Sequence, residues 1–404
     1  MIPEGWTNTR FGNAFAKRIE RGKLGLPTMS VTINDGLVFR ESIDRKMDTT
    51  LIAEEHLLVQ KGDIAYNMMR MWQGASGLAT ADALVSPAYI VLRPTTEIDP
   101  LFAAYLFKHP RTIYLFWAYS HGMTEDRLRL YFDDFSLIPV CLPPLPEQRR
   151  IAEILSTWDR AIETVEALIA NASAQKKALM QSLLTGKRRL TGFAGEWKRT
   201  PLGELGHISS AGVDKKLVEG ETAIRLLNFL DVYNREFIFD SDLRQVVTAP
   251  ATKVRQCDVR KGDVFFTPSS ETRNDIALAA VAAENMPGVV YSYHVVRFRP
   301  AKTLDFGFSV YLFQTDAFRF QAARLGDGGG QRYVISQPNF RKMEVDVPPM
   351  AEQKAIGAIL KNQSDSIWQL QSQLSALRQE KSALMQQLLI GKRRVTVDLE
   401  EKTC

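Results

Sequence analysis

The chain has 404 residues, 45% hydrophobic and 24% charged, enough for two or more domains with sizeable cores. Its net charge of +5 is mildly basic and tolerates a polyanionic partner without demanding one. No apolar run of about 18 residues reads as a membrane span, the start MIPEGWTNTRF has no signal-peptide pattern, and Cys141, Cys257 and Cys404 are too scattered for a disulfide framework or metal site, so a cytoplasmic location is expected.

From the N-terminus the first elements are short. Trp6 is followed by Phe11-Gly12-Asn13. Gly62-Asp63 reads as a turn into the β-like run Ile64-Ala65-Tyr66. A polar, irregular stretch with Asn67, Arg70 and Gln73 comes next. Arg, Asn and Gln can form the paired hydrogen bonds that tell guanine from adenine edges; a solvated loop satisfying its own turn is the competing reading. Trp72 reads as core, and Tyr89 closes Ser86-Pro87-Ala88-Tyr89. In GMTEDRLR, Gly122 allows close backbone approach, and Arg127 and Arg129 can clamp phosphate; a flexible turn explains the glycine equally well.

A long helix is predicted next. Pro146 and Glu147 suit a helix start, and Gly186 suits the position just past the end. Between them lie roughly 38 helical residues, or about 57 Å. Apolar positions step by four and three through Ile151, Leu155, Trp158, Ile162, Val165, Ile169, Ala172, Lys176, Leu179 and Leu183. The basic knot Lys187-Arg188-Arg189 complements a helix C-terminus, with contact to DNA or a partner as the other reading.

A second globule follows the same order with different letters. Trp197, Leu202-Gly203-Glu204, Gly262-Asp263 and Val264-Phe265-Phe266 lead to a polar stretch holding Thr267, Ser269, Ser270, Thr272, Arg273 and Asn274. Tyr291-Ser292-Tyr293-His294 and the glycine-rich run GDGGGQR ending at Arg332 complete the candidates. Ser and Thr more often touch phosphate than bases. His294 reads as a satisfied core residue or a base contact rather than a metal ligand.

The second long helix then repeats the first. PPLPEQRRIAEIL at 143–155 recurs as PPMAEQKAIGAIL at 348–360, and Gly186-Lys187-Arg188-Arg189 recurs as Gly391-Lys392-Arg393-Arg394. Every such pair lies 205 residues apart, as 143 does from 348. The second seam runs Ile356, Leu360, Gln363, Ile367, Leu370, Leu374, Leu377, Lys381, Leu384, Leu388. A heptad seam this long argues for a coiled coil rather than a helix lying on a core. A parallel pair would set Lys176 against Lys381 in an apolar seam. The antiparallel pair sets Lys176 against Gln363 and Lys381 against Trp158, with apolar layers elsewhere. We therefore expect antiparallel helices, a pseudo-twofold and nearly circular arrangement, and position 404 close to position 1.

At these residues the chain resembles the specificity subunit of type I restriction–modification systems. The resemblance rests on the doubled Pro-Pro…Glu-Gln helix openings, the Leu-Met-Gln…Gly-Lys-Arg-Arg closings, and the Gly-Asp segments of both globules. The one departure is Phe11-Gly12-Asn13, where the second copy keeps the family's Leu-Gly-Glu. The resemblance implies mixed α/β (α+β) target-recognition domains at 1–142 and 190–347, spacer helices at 143–189 and 348–395, and a charged tail at 396–404. It implies a non-catalytic subunit that reads an asymmetric, bipartite double-stranded DNA site, one half per domain. Adenine methyltransferase subunits, two per chain, and restriction (translocase) subunits would dock on it. S-adenosylmethionine, ATP and Mg would then sit on those partners and no cofactor on this chain.

The residues agree with that division of labour. The sequence holds no phosphate-binding Gly-rich loop with Lys-Ser/Thr, no Asn/Asp-Pro-Pro-aromatic motif, and no metal-spaced histidines. Off-seam cations Arg149, Arg150 and Lys354 are candidates for partner contact. The alternative is a coiled-coil protein-interaction scaffold with only secondary DNA contact. Shortening both helices by a heptad, about 10 Å, should change the preferred spacer between half-sites by about 3 bp if the helices set it.

Overall fold

In the computed structural model, residues 2–43, 51–233, 235–329 and 332–396 are described. Cys404 and most of the charged tail lie outside them. The chain divides into two compact units: residues 1–166 with 373–404, and residues 167–372. Each unit therefore contains one globule and a stretch of both long helices.

Those helices run Leu145–Leu183 and Met350–Leu388, 39 residues each. Gly186 and Gly391 follow three residues later at φ +67° and +70°, conformations that glycine adopts without a Cβ clash. Every expected seam position is buried or half-buried along helices whose other faces are mostly exposed. Within the first unit Lys381 pairs with Asp159 and Arg378 with Glu166, so the helices run antiparallel there. Within the second, Leu183 shares a core with Ile356 and Leu360, which gives the same sense.

In the first unit a four-stranded antiparallel sheet runs in the order Phe15–Arg18, Tyr89–Pro94, Ile64–Asn67, Ser76–Leu78. The second unit has a five-stranded sheet: Gly206–Ser209, Val296–Pro300, Val264–Phe266, Ala279–Ala282, Phe237–Ile238. A four-stranded sheet with Thr222–Leu227 at its interior is added to it. The unit cores rest on phenylalanines: Phe11, Phe15, Phe107, Phe116 and Phe135 in one, Phe266, Phe298, Phe313, Phe318 and Phe340 in the other. Edge-to-face pairs such as Phe107–Phe116 and Phe266–Phe313, at 5.2 and 5.1 Å, add specificity to that burial.

Phe11-Gly12-Asn13 folds like its better-kept counterpart. Thr7–Arg10 pairs with Pro139–Leu142 and leads into a helical turn at Phe11–Ala14; Lys198–Pro201 pairs with Glu344–Val347 and leads into one at Leu202–Leu205. Phe11 and Leu202 are both fully buried, so an apolar side chain at the first position suffices.

Candidate nucleic-acid interface

The repeated phrase that opens each long helix is a latch. Gln148 donates to the carbonyls of Pro143 and Glu97, both at 2.9 Å, and accepts from the Asp99 amide at 2.9 Å. Gln353 does the same with Pro348, Thr303 and Asp305 at 2.9, 3.0 and 2.8 Å. Asp99 and Asp305 in turn cap the helices Pro100–Phe107 and Phe306–Leu312. The preceding glutamate holds the basic knot that ends the other long helix. Arg394 makes a two-pronged pair with Glu147 at 2.7 and 2.9 Å, and Arg189 one with Glu352 at 2.7 Å on both prongs. Arg189 and Arg394 are therefore structural, while Lys187, Arg188, Lys392 and Arg393 stay exposed. Arg394 also donates to the Glu4 carbonyl at 2.5 Å, which brings the described end of the chain to its beginning.

The seam lysines depart from the expected pairing. Lys176 meets Glu236 of its globule instead of Gln363, and lies 5.2 Å from the centre of the Tyr311 ring. Lys381 meets Asp159 instead of Trp158, and lies 5.2 Å from the centre of the Tyr105 ring. A carboxylate was reachable in both places, and for a half-buried ammonium it outcompetes an amide or an indole. Tyr105 donates to Asp159 at 2.5 Å. Burial, then that bond, pushes its hydroxyl pKa far up. Burial likewise pushes Tyr311 up to about 12. Both phenols therefore stay protonated.

On this frame the globules present different polar faces. In the first, Gly62 (φ +94°) makes the turn that delivers Asp63 into the core, where Arg18 grips it at 2.6 and 3.1 Å. In the second, Gly262 (φ +88°) delivers Asp263 to Arg299, at 2.6 and 2.7 Å. The strands that follow end at the candidate readers. Asn67 accepts from the Met69 amide at 3.0 Å, and Arg70 reaches Gln73 at 3.2 Å, leaving exposed donors on the loop. Trp72 is half-buried and donates to the Met69 carbonyl at 3.1 Å. The Leu130 amide donates to the Met68 carbonyl at 2.9 Å, so the loop carrying Arg127 and Arg129 lies beside this stretch. Both arginines are exposed, with no side-chain partner among the described residues. Gly122 serves its own turn: a Cβ there would come within 2.6 Å of the Arg127 carbonyl. Tyr89 is tied inward, its hydroxyl accepting from the Val31 amide at 3.3 Å.

The second face is a broad cleft of about 1150 Å³, lined by Ser269, Ser270, Thr272, His294 and Arg332 among others. Arg332 donates to Ser269 at 2.9 Å across strands Ser269–Ser270 and Arg332–Val334. Thr272 donates to Asp275 at 2.6 Å. Burial, with the positive charges of Lys215 and Arg332, lowers the His294 pKa and favours the neutral ring. Tyr293 is half exposed and packs on His294 at 4.0 Å between centroids. Arg273 lies over the Tyr333 ring at 4.8 Å, and the Asn274 carbonyl accepts from Arg319. Gly330 and Gln331 of the glycine run lie outside the described residues. Sequence reasoning missed Lys215, Asn228, Phe229, Leu230 and Tyr233, which line the same cleft. The available signal was Asn228-x-x-Asp231, a helix-capping pattern that here opens the four-residue turn Phe229–Val232. Of the proposed partner-contact cations, Arg150 pairs with Glu153 at 2.6 Å, while Arg149 and Lys354 are exposed.

The arrangement offers hydrogen-bond donors, acceptors and cations on two dissimilar faces held by one repeated frame. Comparison with known proteins matches that pattern. The model for the "Type I restriction modification DNA specificity domain" fits residues 27–172 and again 194–377. The MjaVIII type I restriction enzyme specificity subunit of Methanocaldococcus jannaschii is 24% identical, covering 98% of this chain and 94% of that protein. The putative MjaX specificity subunit of the same organism is 22% identical, covering 98% and 95%. Among solved structures, the S subunit of a type I restriction–modification system from M. genitalium shares the fold with a TM-score of 0.56, at 16% identity over 96% of this chain and 99% of that one. A chain solved for complex assembly and conformational transition of the type I R-M system shares it at 0.57, with 17% identity over 97% and 100%. The doubled match, spanning well over half the residues, places this chain in the family of type I restriction–modification DNA specificity domains, with that domain present twice.

Proposed function

We propose that this chain is the DNA-reading specificity subunit of a type I restriction–modification complex, recognising an asymmetric bipartite duplex site with one half-site per globule. The observation that carries this reading is the pairing of one repeated frame with two unlike faces. Gln148 and Gln353 make matching bonds, whereas the loop with Asn67, Arg70 and Gln73 and the cleft with Ser269, Thr272 and Arg332 share no residue pattern. A frame held constant beneath variable readers suits a common partner assembly and two different half-sites. Methylation and cleavage belong, in this reading, to partner subunits: adenine methyltransferases, two per chain, that bring S-adenosylmethionine, and restriction subunits that use ATP and Mg.

The test is co-expression of the full chain with its methyltransferase, followed by mapping of modified adenines in genomic DNA. A two-part motif with an unspecified spacer is expected. Replacing residues 190–347 with the corresponding globule of another family member should change one half of that motif only. A single uninterrupted motif, or a change in both halves, would overturn the reading.

A further inference from the structure

On the helices that pack against their candidate reading loops, the two globules share an exposed feature. Tyr114, on the helix Pro110–Ala118, is 61% exposed; Phe320, on the helix Asp316–Leu325, is 69% exposed. They occupy the same position. The helix caps Asp99 and Asp305, the rings Tyr105 and Tyr311, and the next caps His109 and Thr315 lie 206 residues apart, as 320 does from 114. Two residues further on, Phe116 and Ala322 both point into the core. In the first unit Trp117, 43% exposed, widens the aromatic surface and lies 5.7 Å from Tyr114 between centroids.

The neighbours of these rings are not repeated. Arg111 and Ala118 flank Tyr114 one turn to either side, while Ala317 and Arg324 flank Phe320. What the two positions have in common is the aromatic ring alone. Beside each helix start there is also an opening. One, of about 410 Å³, is lined by His109, Arg111 and Ile390; the other, of about 440 Å³, by Thr315, Ala317 and Thr185. Neither Tyr114 nor Phe320 belongs to the core clusters beneath it, and at interfaces aromatic rings are common anchors. Surfaces that read two different half-sites should differ. A ring kept at one position in both globules instead calls for an occupant that is the same in both.

We infer that Tyr114 and Phe320 are equivalent anchors for two copies of one partner protein, each of which receives the ring in an apolar pocket. Resting on the function proposed above, the inference identifies that partner as the methyltransferase subunit. The full chain carrying Tyr114→Ser, Phe320→Ser or both is titrated with purified methyltransferase, and copies bound per chain are counted by native mass spectrometry. Each single variant should bind one of its two copies about 10-fold or more weakly, and the double variant should lose both. Tyr114→Phe should bind as wild type, and all variants should keep wild-type DNA retention and melting profiles. A double variant that holds two copies at wild-type affinity overturns the inference while leaving the proposed function standing. A wild-type chain that binds no methyltransferase overturns both.

Discussion

Gln148 and Gln353 satisfy three backbone groups each at the junction of globule and helix, and both are essentially buried. Replacing either with alanine leaves those groups unpaired. Each variant should lose about 2–3 kcal/mol from the unit that contains it, measured by urea unfolding. His109 predicts a pH dependence. Its Nδ1 accepts from the Arg111 amide at 3.2 Å, and burial, then the charges of Arg111 and Lys392, lowers its pKa. The unfolded chain then binds a proton before the folded one does, so stability falls as pH drops below the usual histidine range of about 6.5. Thermal melts of wild type and His109→Gln should diverge between about pH 7 and 5, with the variant losing less. At this scale the sequence was only partly legible. The latch glutamines lay inside the repeated phrase that was recognised, yet their partners Glu97 and Thr303 carry no signal, because only their carbonyls are used. Leu230 and Tyr233 were missed because an exposed apolar residue looks like core until the surface is known.

The long helices were legible as elements, since a 3.5-residue apolar repeat has few other meanings. What the sequence hid was the answer to their two lysines. Lys381 finds its acid on a long helix, at Asp159, where the second copy has Ser364. Lys176 finds Glu236 on the globule, and Ser364 donates to that same carboxylate at 3.0 Å. The charge has moved from helix to globule while the lysine and its tyrosine stayed in place. Glu236→Gln should therefore destabilise the second unit by about 1–3 kcal/mol, since it strips a half-buried cation of its acid. Adding Ser364→Asp, which copies the first unit, should restore much of the loss. A double-mutant cycle in urea checks this, and additive losses would contradict it.

For the whole molecule, the proposed function sets a salt dependence. If about six phosphates are contacted, DNA affinity should fall on the order of 10³-fold between about 50 and 200 mM salt. Fluorescence anisotropy with a duplex carrying the mapped site measures it. A flat profile would favour the protein-interaction scaffold. The pairing of Glu147 with Arg394 has a consequence of another kind. It joins a residue near the start of one long helix to one beyond the end of the other, 247 positions later. The unit of residues 167–372 is continuous in sequence, whereas the other is completed only by residues after 372. On the ribosome, then, the globule made first is the last to close. Until Leu388 and Leu389 emerge, Ile151 and Leu155 lack part of the core they share with them, so a chain cut short before Leu388 would leave that earlier-made globule open to proteases and chaperones.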